Sequence, residues 1–335
     1  MENFRLSFFV TGICLLVAFG IGGASDLFLV AVLAILEISF SFDNAVINAA
    51  KLKYMDKKWQ GYFLTWGMLV AVFGMRLIFP VLIVASTSEL GFFDVFDLAL
   101  NDPDKYGRYL SMSHAQISAF GGMFLLLLFL NFIFDHEKEV YWIKFIEERL
   151  SKLGKLDSIE VATSLIILFI VQSLLPDNYK LEVIVGGVLG ITLYIIVSIL
   201  SAYFEEEDDS MGNTIKQGTA MSFIYLEILD ASFSFDGVVG AFAVTKDIII
   251  IMLGLTIGAM FVRSLTVHLV KKGTLDEYIY LEHGAHYAIG ALAILMLFGT
   301  VIHIPETITG LIGVVFIGLS LFSSINYRKN KPLNI

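Results

Sequence analysis

Seven ionisable residues fall inside strongly apolar runs of the chain: Glu37, Asp43, Arg76, Glu227, Asp230, Asp236 and Arg263. An ionised side chain in hydrocarbon costs about 3 kcal/mol even on permissive scales, so such residues persist where they pair or where they handle ions. The acidic members cluster around a repeated string, Ser39-Phe40-Ser41-Phe42-Asp43 and Ser232-Phe233-Ser234-Phe235-Asp236. Leu36-Glu37-Ile38 precedes the first copy and Leu226-Glu227-Ile228 the second, and aligning the aspartates puts Asp230 in the place of Glu37. At 100° per residue, Glu37, Ser41, Asn44 and Asn48 lie within about 60° of one another on a helix. Glu227, Asp230 and Ser234 form a similar face. Brought together, these residues make an oxygen-only shell with up to three negative charges. Such a shell suits a hard divalent cation, Mn²⁺, Ca²⁺ or Mg²⁺, and not Cu⁺ or Zn²⁺, which favour Cys, Met and His.

Asp43 and Asp236 fall on roughly the opposite side of their helices from Glu37 and Glu227. Either the helix unwinds locally at the repeated string, as in broken-helix transporters, or each aspartate turns to another partner. Arg76 and Arg263, the two arginines inside spans, are the obvious partners. The aspartates are thus candidates for direct ligation and for ion pairing, and the arginines for gating or pairing. His114 and His283 occupy matching positions and can supply a nitrogen ligand or carry protons. A packed, hydrogen-bonded imidazole is the plainer expectation for either, and His286 and His303 carry a weaker signal. The eleven methionines are scattered as core filling. The lone Cys14 leaves no disulfide framework and no multi-thiolate metal site.

The elements that position these residues are membrane helices. Of 335 residues, 57% are hydrophobic and 16% charged, with a mean hydropathy of +0.80, more apolar surface than a soluble domain hides. A spanning helix takes about 20 residues. Apolar runs occur near 6–23, 27–50, 61–86, 113–134, 159–175, 181–203, 218–244, 247–270, 284–303 and 306–325. The fifth is short and the eighth contains Arg263, so nine spans compete with ten. The first run, with Arg5 before it and Gly22-Gly23-Ala24-Ser25 after it, has some features of a signal peptide, but it flows into a second apolar helix. Charge placement favours ten spans with both termini cytoplasmic. Sixteen basic residues then lie inside, and only Lys105, Arg108, Lys180 and Lys246 outside. The net charge of -10 repels phosphate backbones, which excludes nucleic acid as a partner.

The repeat extends beyond the acidic string. Gly67 stands nine residues before Arg76, as Gly254 does before Arg263, and His114, Ala119 and Gly121 match His283, Ala288 and Gly290. The chain therefore reads as an all-α bundle of two five-helix halves, 1–178 and 179–335. An odd number of helices per half inserts the copies in opposite directions, the inverted-repeat architecture of many secondary transporters.

Three hydrophilic segments remain. The outer loop 87–112 is too short for a domain. The stretch 135–158 has the periodicity of an amphipathic helix on the cytoplasmic surface, and Glu205-Glu206-Glu207-Asp208-Asp209 reads as a solvated acidic loop. Gly121-Gly122 and Gly186-Gly187 permit close helix contacts without demanding a homo-oligomer. The reading favoured by these features is a divalent-cation exporter, manganese first, working by alternating access with no resident cofactor. The competing reading is a membrane scaffold that anchors a stress-response complex through 135–158 and the acidic loop. An enzyme is not expected: an intramembrane aspartyl protease is weakly supported, because Glu and Arg beside the aspartates would perturb a shared-proton dyad.

The strings Glu37-Ile-Ser-Phe-Ser-Phe-Asp43-Asn44-Ala45-Val46 and Glu227-Ile-Leu-Asp230-Ala-Ser-Phe-Ser-Phe-Asp236-Gly237 resemble those of TerC-type integral membrane proteins, within the wider LysE-type exporter group. The first is similar to that family's Glu-x-x-x-Ser-x-Asp-Asn signature. The resemblance, which runs through nearly the whole chain, implies a bacterial inner-membrane protein linked to tellurite resistance or manganese export. Gly237 departs from the pattern where the first copy has Asn44, so the two half-sites are not equivalent.

Overall fold

The computed structural model describes residues 4–88, 90–156, 158–210, 222–224, 226–228, 230, 237–238, 241, 244–245, 247–300, 304 and 306–330. Its regular elements are all helical. In chain order they are α1 (Arg5–Phe40), α2 (Phe42–Leu52), α3 (Lys57–Leu69), a π-helical segment (Val70–Ile78), α4 (Phe79–Thr87), α5 (Phe92–Asn101), α6 (Pro103–Met112) and α7 (His114–Phe134). There follow α8 (Lys144–Ser151), a 3₁₀ turn (Leu153–Lys155), α9 (Ile159–Ser173), α10 (Asp177–Ser210), α11 (Ile248–Lys272), α12 (Thr274–Glu277), α13 (Leu281–Gly299) and α14 (Glu306–Asn330).

Six helices among the described residues are long and apolar enough to cross a membrane. The sequence offers ten runs, and local geometry accounts for the difference. Helix α1 covers the first two runs, and its backbone leaves the helical region at Gly22 (φ -131°, ψ 20°) and Gly23 (φ 67°, ψ -144°). Only glycine adopts the Gly23 conformation readily. Ser7 donates to the Met260 carbonyl at 2.9 Å, while Glu37 packs on Gly258 of the same helix. Residues 7 and 37 of a straight helix would stand about 45 Å apart. The chain therefore doubles back at the glycine pair, and both arms of α1 lie on α11.

The third run is helical throughout 57–87 but changes hydrogen-bond register twice, from α to π at Val70 and back to α at Phe79. The fifth, α9, has 15 residues. The run 218–244 falls largely outside the described residues. Large exposed side chains such as Phe8, Phe9, Leu16, Phe28, Phe169 and Leu181 cover the outer faces. Such surface suits hydrocarbon and not water, and these helices are those expected of a membrane protein.

Glycine contacts fix the helix directions. Gly186 and Gly190 of α10 pack on the Gln116 and Phe120 carbonyls of α7, so these helices run parallel. Gly122 meets Leu297, and Gly290 meets Phe129, so α7 and α13 run antiparallel. Leu33 meets Gly254 and Glu37 meets Gly258, so the second arm of α1 runs parallel to α11. Gly122 and Gly186, whose glycine pairs permit close helix contacts in the sequence reading, make such contacts within the chain.

The hydrophilic segments differ from their sequence reading. The acidic run 205–209 continues α10, which extends to Ser210, and is not a loop. Within 135–158 the helix shrinks to α8 and the short 3₁₀ turn. Its Glu147 and Ser151 are buried, so the stretch is tucked against the bundle more tightly than a helix floating on a membrane surface.

Candidate functional site

Ser41 interrupts the helix between α1 and α2 with φ -102°, ψ 19°, yet Ser41 N–H still donates to Glu37 O and Ala45 N–H to Ser41 O. The repeated string bends the helix here without unwinding it. Helical phase is therefore kept, and Glu37, Ser41, Asn44 and Asn48 share a face as their spacing requires; all four are buried. Asn48 is 0% exposed, and neither of its amide atoms has a hydrogen-bond partner among the described residues.

Glu37 is held by Arg76, whose Nη2 donates to Glu37 Oε1 at 2.5 Å. Nη1 of the same guanidinium donates to the Ala71 carbonyl, five residues back, at 2.7 Å. The π-helical register of Val70–Ile78 surrounds this arginine, and π segments gather at functional sites because they re-aim side chains out of the α ladder. The second cluster is built from the other half. Arg263 Nη2 lies 3.2 and 3.1 Å from the two oxygens of Glu227 and 3.6 Å from Asp230 Oδ2. Its Nη1 donates to the Phe63 carbonyl at 2.6 Å, and the guanidinium sits 4.2 Å above the Phe63 ring.

The two clusters are neighbours. Gly258, against Glu37, and Arg263, against Glu227, are five residues apart on α11, a rise of about 7.5 Å. Each half also crosses into the other's cluster. Gly67 of the first half faces Glu227 and Arg263, and Gly237 and Gly258 of the second face Glu37. A side chain at Gly67 or Gly258 would occupy the volume of the acidic groups, so these glycines are where the backbones give way to the carboxylates.

Arg76 and Arg263 are thus engaged by Glu37 and by Glu227 with Asp230, where the sequence offered Asp43 and Asp236 as partners. Asp43 lies in α2 with its side chain outside the described residues, and Ser234, Asp236 and His303 lie outside them altogether. Among the described residues no three His, Cys, Asp or Glu side chains form a group able to hold a metal ion. Asn44 is buried on the same face as Glu37.

The matched histidines occupy different settings. His114 opens α7, with Nε2 3.4 Å from Ser118 Oγ. His283 opens α13, and its ring lies edge-on to Phe132 near the far end of α7, with centroids 5.1 Å apart. Residues 114 and 132 of one helix are separated by about 27 Å, close to a hydrocarbon thickness. The two positions matched in the sequence therefore stand near opposite ends of α7.

The model for a family described as Protein of unknown function (DUF475) matches residues 42–331. The chain belongs to the DUF475 family. The family region contains both arginines, both asparagines and the whole second acidic string, while Glu37 stands five residues before its start. No curated protein and no solved structure matches the chain.

One cluster in this family member escaped the sequence reading. Glu147 is fully buried and accepts from the Trp142 and Ile143 amides at 3.2 and 3.0 Å and from the Tyr287 hydroxyl at 3.3 Å. Lys138 Nζ and His283 Nε2 each lie 3.4 Å from its Oε2. Burial pushes its pKa up, but the His283 contact, the Ile143 amide and the charge of Lys138 outweigh that and hold it at about 2. Burial also lowers the Lys138 pKa, and Glu147 partly offsets it. Nothing in the local pattern marks Glu147 as buried, because two of its partners, His283 and Tyr287, come from a helix some 140 residues away. The one available signal was a carboxylate within a segment of helical periodicity that also held a lysine.

Proposed function

We propose that the chain is a secondary transporter that exports a divalent cation, manganese before calcium or magnesium, by alternating access of two five-helix halves in a bacterial inner membrane. The observation that carries this reading is the pair of adjacent carboxylate–arginine clusters, each reaching across to glycines of the opposite half. Buried charges at the meeting surface of two repeats are where secondary transporters bind their cargo. The oxygen-only donor set of Glu37, Glu227, Asp230 and Asn48 matches a hard cation, and the motif's resemblance to TerC-type proteins agrees with it.

Several features support ten spans in an inverted 5+5 arrangement. The bend at Gly22–Gly23 divides α1 into two arms. The parallel and antiparallel contacts of α7, α10, α11 and α13 follow the alternation that ten crossings require. Gly122 meeting Leu297 while Gly290 meets Phe129 is a nearly reciprocal contact, the pattern expected about a two-fold axis.

In the mechanism, each guanidinium occupies the carboxylates while no cargo is present and keeps the interior from holding bare negative charge. An arriving dication competes for Glu37, Glu227 and Asp230, with Asn48 supplying an amide oxygen. Releasing the arginines unties the contacts that fix one half against the other, and the halves rock. Five intramembrane carboxylates against two arginines leave a surplus of negative charge. A dication, accompanied by protons on the same groups, neutralises that surplus.

The test is manganese accumulation and tolerance in cells carrying wild type, Glu37→Gln or Asp230→Asn. Both variants should retain manganese and lose tolerance. If both clear manganese as well as wild type does, the central site is not the transport site.

A further inference from the structure

Residues 144–156 sort their charge by burial. Lys144, Arg149, Lys152 and Lys155 are exposed, whereas Glu147 is fully buried. Glu148, the other acid in this stretch, is half-exposed and lies 3.8 Å from Lys152, a surface pair that holds the lysine only weakly. Large apolar residues are turned outward as well: Phe145 is 68% and Leu156 57% exposed, and Ile146 and Leu153 are also open. A chain of net charge -10 thus carries here a face of basic and apolar side chains.

Packing decides which side of α8 faces out. Glu147 and Ser151, one turn apart, form its buried side, and Glu147 reaches across to His283 and Tyr287 of α13. At 100° per residue, Phe145, Arg149 and Lys152 stand about 140–160° away from Glu147. The Arg149 guanidinium lies 3.8 Å above the Phe145 ring, so charge and apolar surface are interleaved. Asp135, Glu137 and Glu139, earlier in the segment, line a cavity of about 680 Å³ that none of the four basic residues lines. The segment leaves one apolar helix, α7, at Phe134 and enters another, α9, at Ile159. Exposed apolar side chains of α9, Leu165, Ile166 and Phe169, continue the outward apolar surface beyond Leu156. A face of this composition between the ends of two apolar helices suits the level where headgroups and acyl chains meet.

We propose that the exposed face of residues 144–156 docks on anionic phospholipid. Lys144, Arg149, Lys152 and Lys155 contact the headgroup phosphates, and Phe145, Ile146, Leu153 and Leu156 enter the acyl boundary, the division of labour of amphipathic segments held at a membrane interface. Charge complementarity selects the occupant, because a zwitterionic lipid offers four cations no net negative charge. The inference does not depend on the transport reading of Glu37 and Glu227.

The experiment delipidates the full-length protein in neutral detergent and titrates it with phosphatidylglycerol or with phosphatidylcholine of the same chains, counting bound lipid by native mass spectrometry. Wild type should bind phosphatidylglycerol more tightly. Lys152→Gln should weaken its first binding step about fivefold, and the combined Lys144→Gln, Arg149→Gln, Lys152→Gln, Lys155→Gln variant should bind both lipids alike. These are exposed positions, and an unchanged gel-filtration profile checks the fold. Lys144→Arg with Lys152→Arg should keep the preference, as should Lys271→Gln with Lys272→Gln, which removes two exposed lysines elsewhere. The proposal is overturned if the combined variant keeps the preference, or if glycerol phosphate without acyl chains displaces the lipid, which would make this a site for soluble phosphate. Equal binding of both lipids by wild type would also overturn it, and would leave an acidic soluble protein as the partner of this face.

Discussion

Asn48 separates stability from function at the residue scale. A buried amide without partners costs roughly 1–3 kcal/mol of stability, and a residue of Asn48's size with an apolar side chain would avoid that cost. Asn48→Leu is therefore expected to leave thermal unfolding in detergent unchanged or to raise it, while manganese export is lost. A variant that keeps full export would remove Asn48 from the cargo site. The Glu37–Arg76 pair makes the complementary case. Arg76→Leu strands a buried carboxylate and should cost about 3–5 kcal/mol, whereas replacing both members by leucine should recover most of that loss. Thermal unfolding of Arg76→Leu, Glu37→Leu and the double variant gives the coupling directly; purely additive losses would show that the pair is not a closed unit. Export should stay lost in Glu37→Leu and in the double variant, since stability returns with the apolar pair but the carboxylate does not.

At the scale of helices, much was legible in the sequence because hydrophobic runs and helical phase are local properties. The polar face of Glu37, Ser41, Asn44 and Asn48 follows from spacing alone, and the ladder retained around Ser41 keeps it intact. Three features were not legible. The π segment around Arg76 depends on how Lys57–Thr87 packs against its neighbours, since propensity does not distinguish π from α register. Which carboxylates reach the arginines among the described residues, Glu37 for Arg76 and Glu227 with Asp230 for Arg263, depends on which helices meet. The burial of Glu147 depends on α13. Glycine spacing did foreshadow the packing, and it can be tested. A Cβ at Gly258 would collide with Glu37 Cβ and Cγ, atoms too close to the backbone to swing away. Gly258→Ala is expected to destabilise by about 1–3 kcal/mol. Gly12 and Gly318, where a Cβ meets nothing within 4 Å, should gain about 0.5–1 kcal/mol from the same change through helix propensity. Equal melting temperatures across the three variants would refute the close approach at Gly258.

For the whole molecule, the ten-span arrangement turns on α9. Its 15 residues rise about 22 Å, short of a hydrocarbon core of about 30 Å, so it crosses only with local thinning or with help from its flanks. If α9 crosses, the segments on either side of it face opposite compartments, and every later helix takes the direction required by the α7–α10 and α7–α13 contacts. If it does not, the second half has the same orientation as the first and the inverted relationship collapses. Exposed residues flank it: Lys152 before, with 69% of its side chain exposed, and Asp177 after, with 95%. In a Cys14→Ser background, single cysteines at 105, 152, 177 and 272 can be challenged with a membrane-impermeant maleimide. Lys105→Cys and Asp177→Cys are expected to label in intact cells, and Lys152→Cys and Lys272→Cys only after permeabilisation. Labelling of positions 152 and 177 from the same side would show that α9 does not cross, and with it the two halves would lose the opposed insertion on which alternating access between repeats depends.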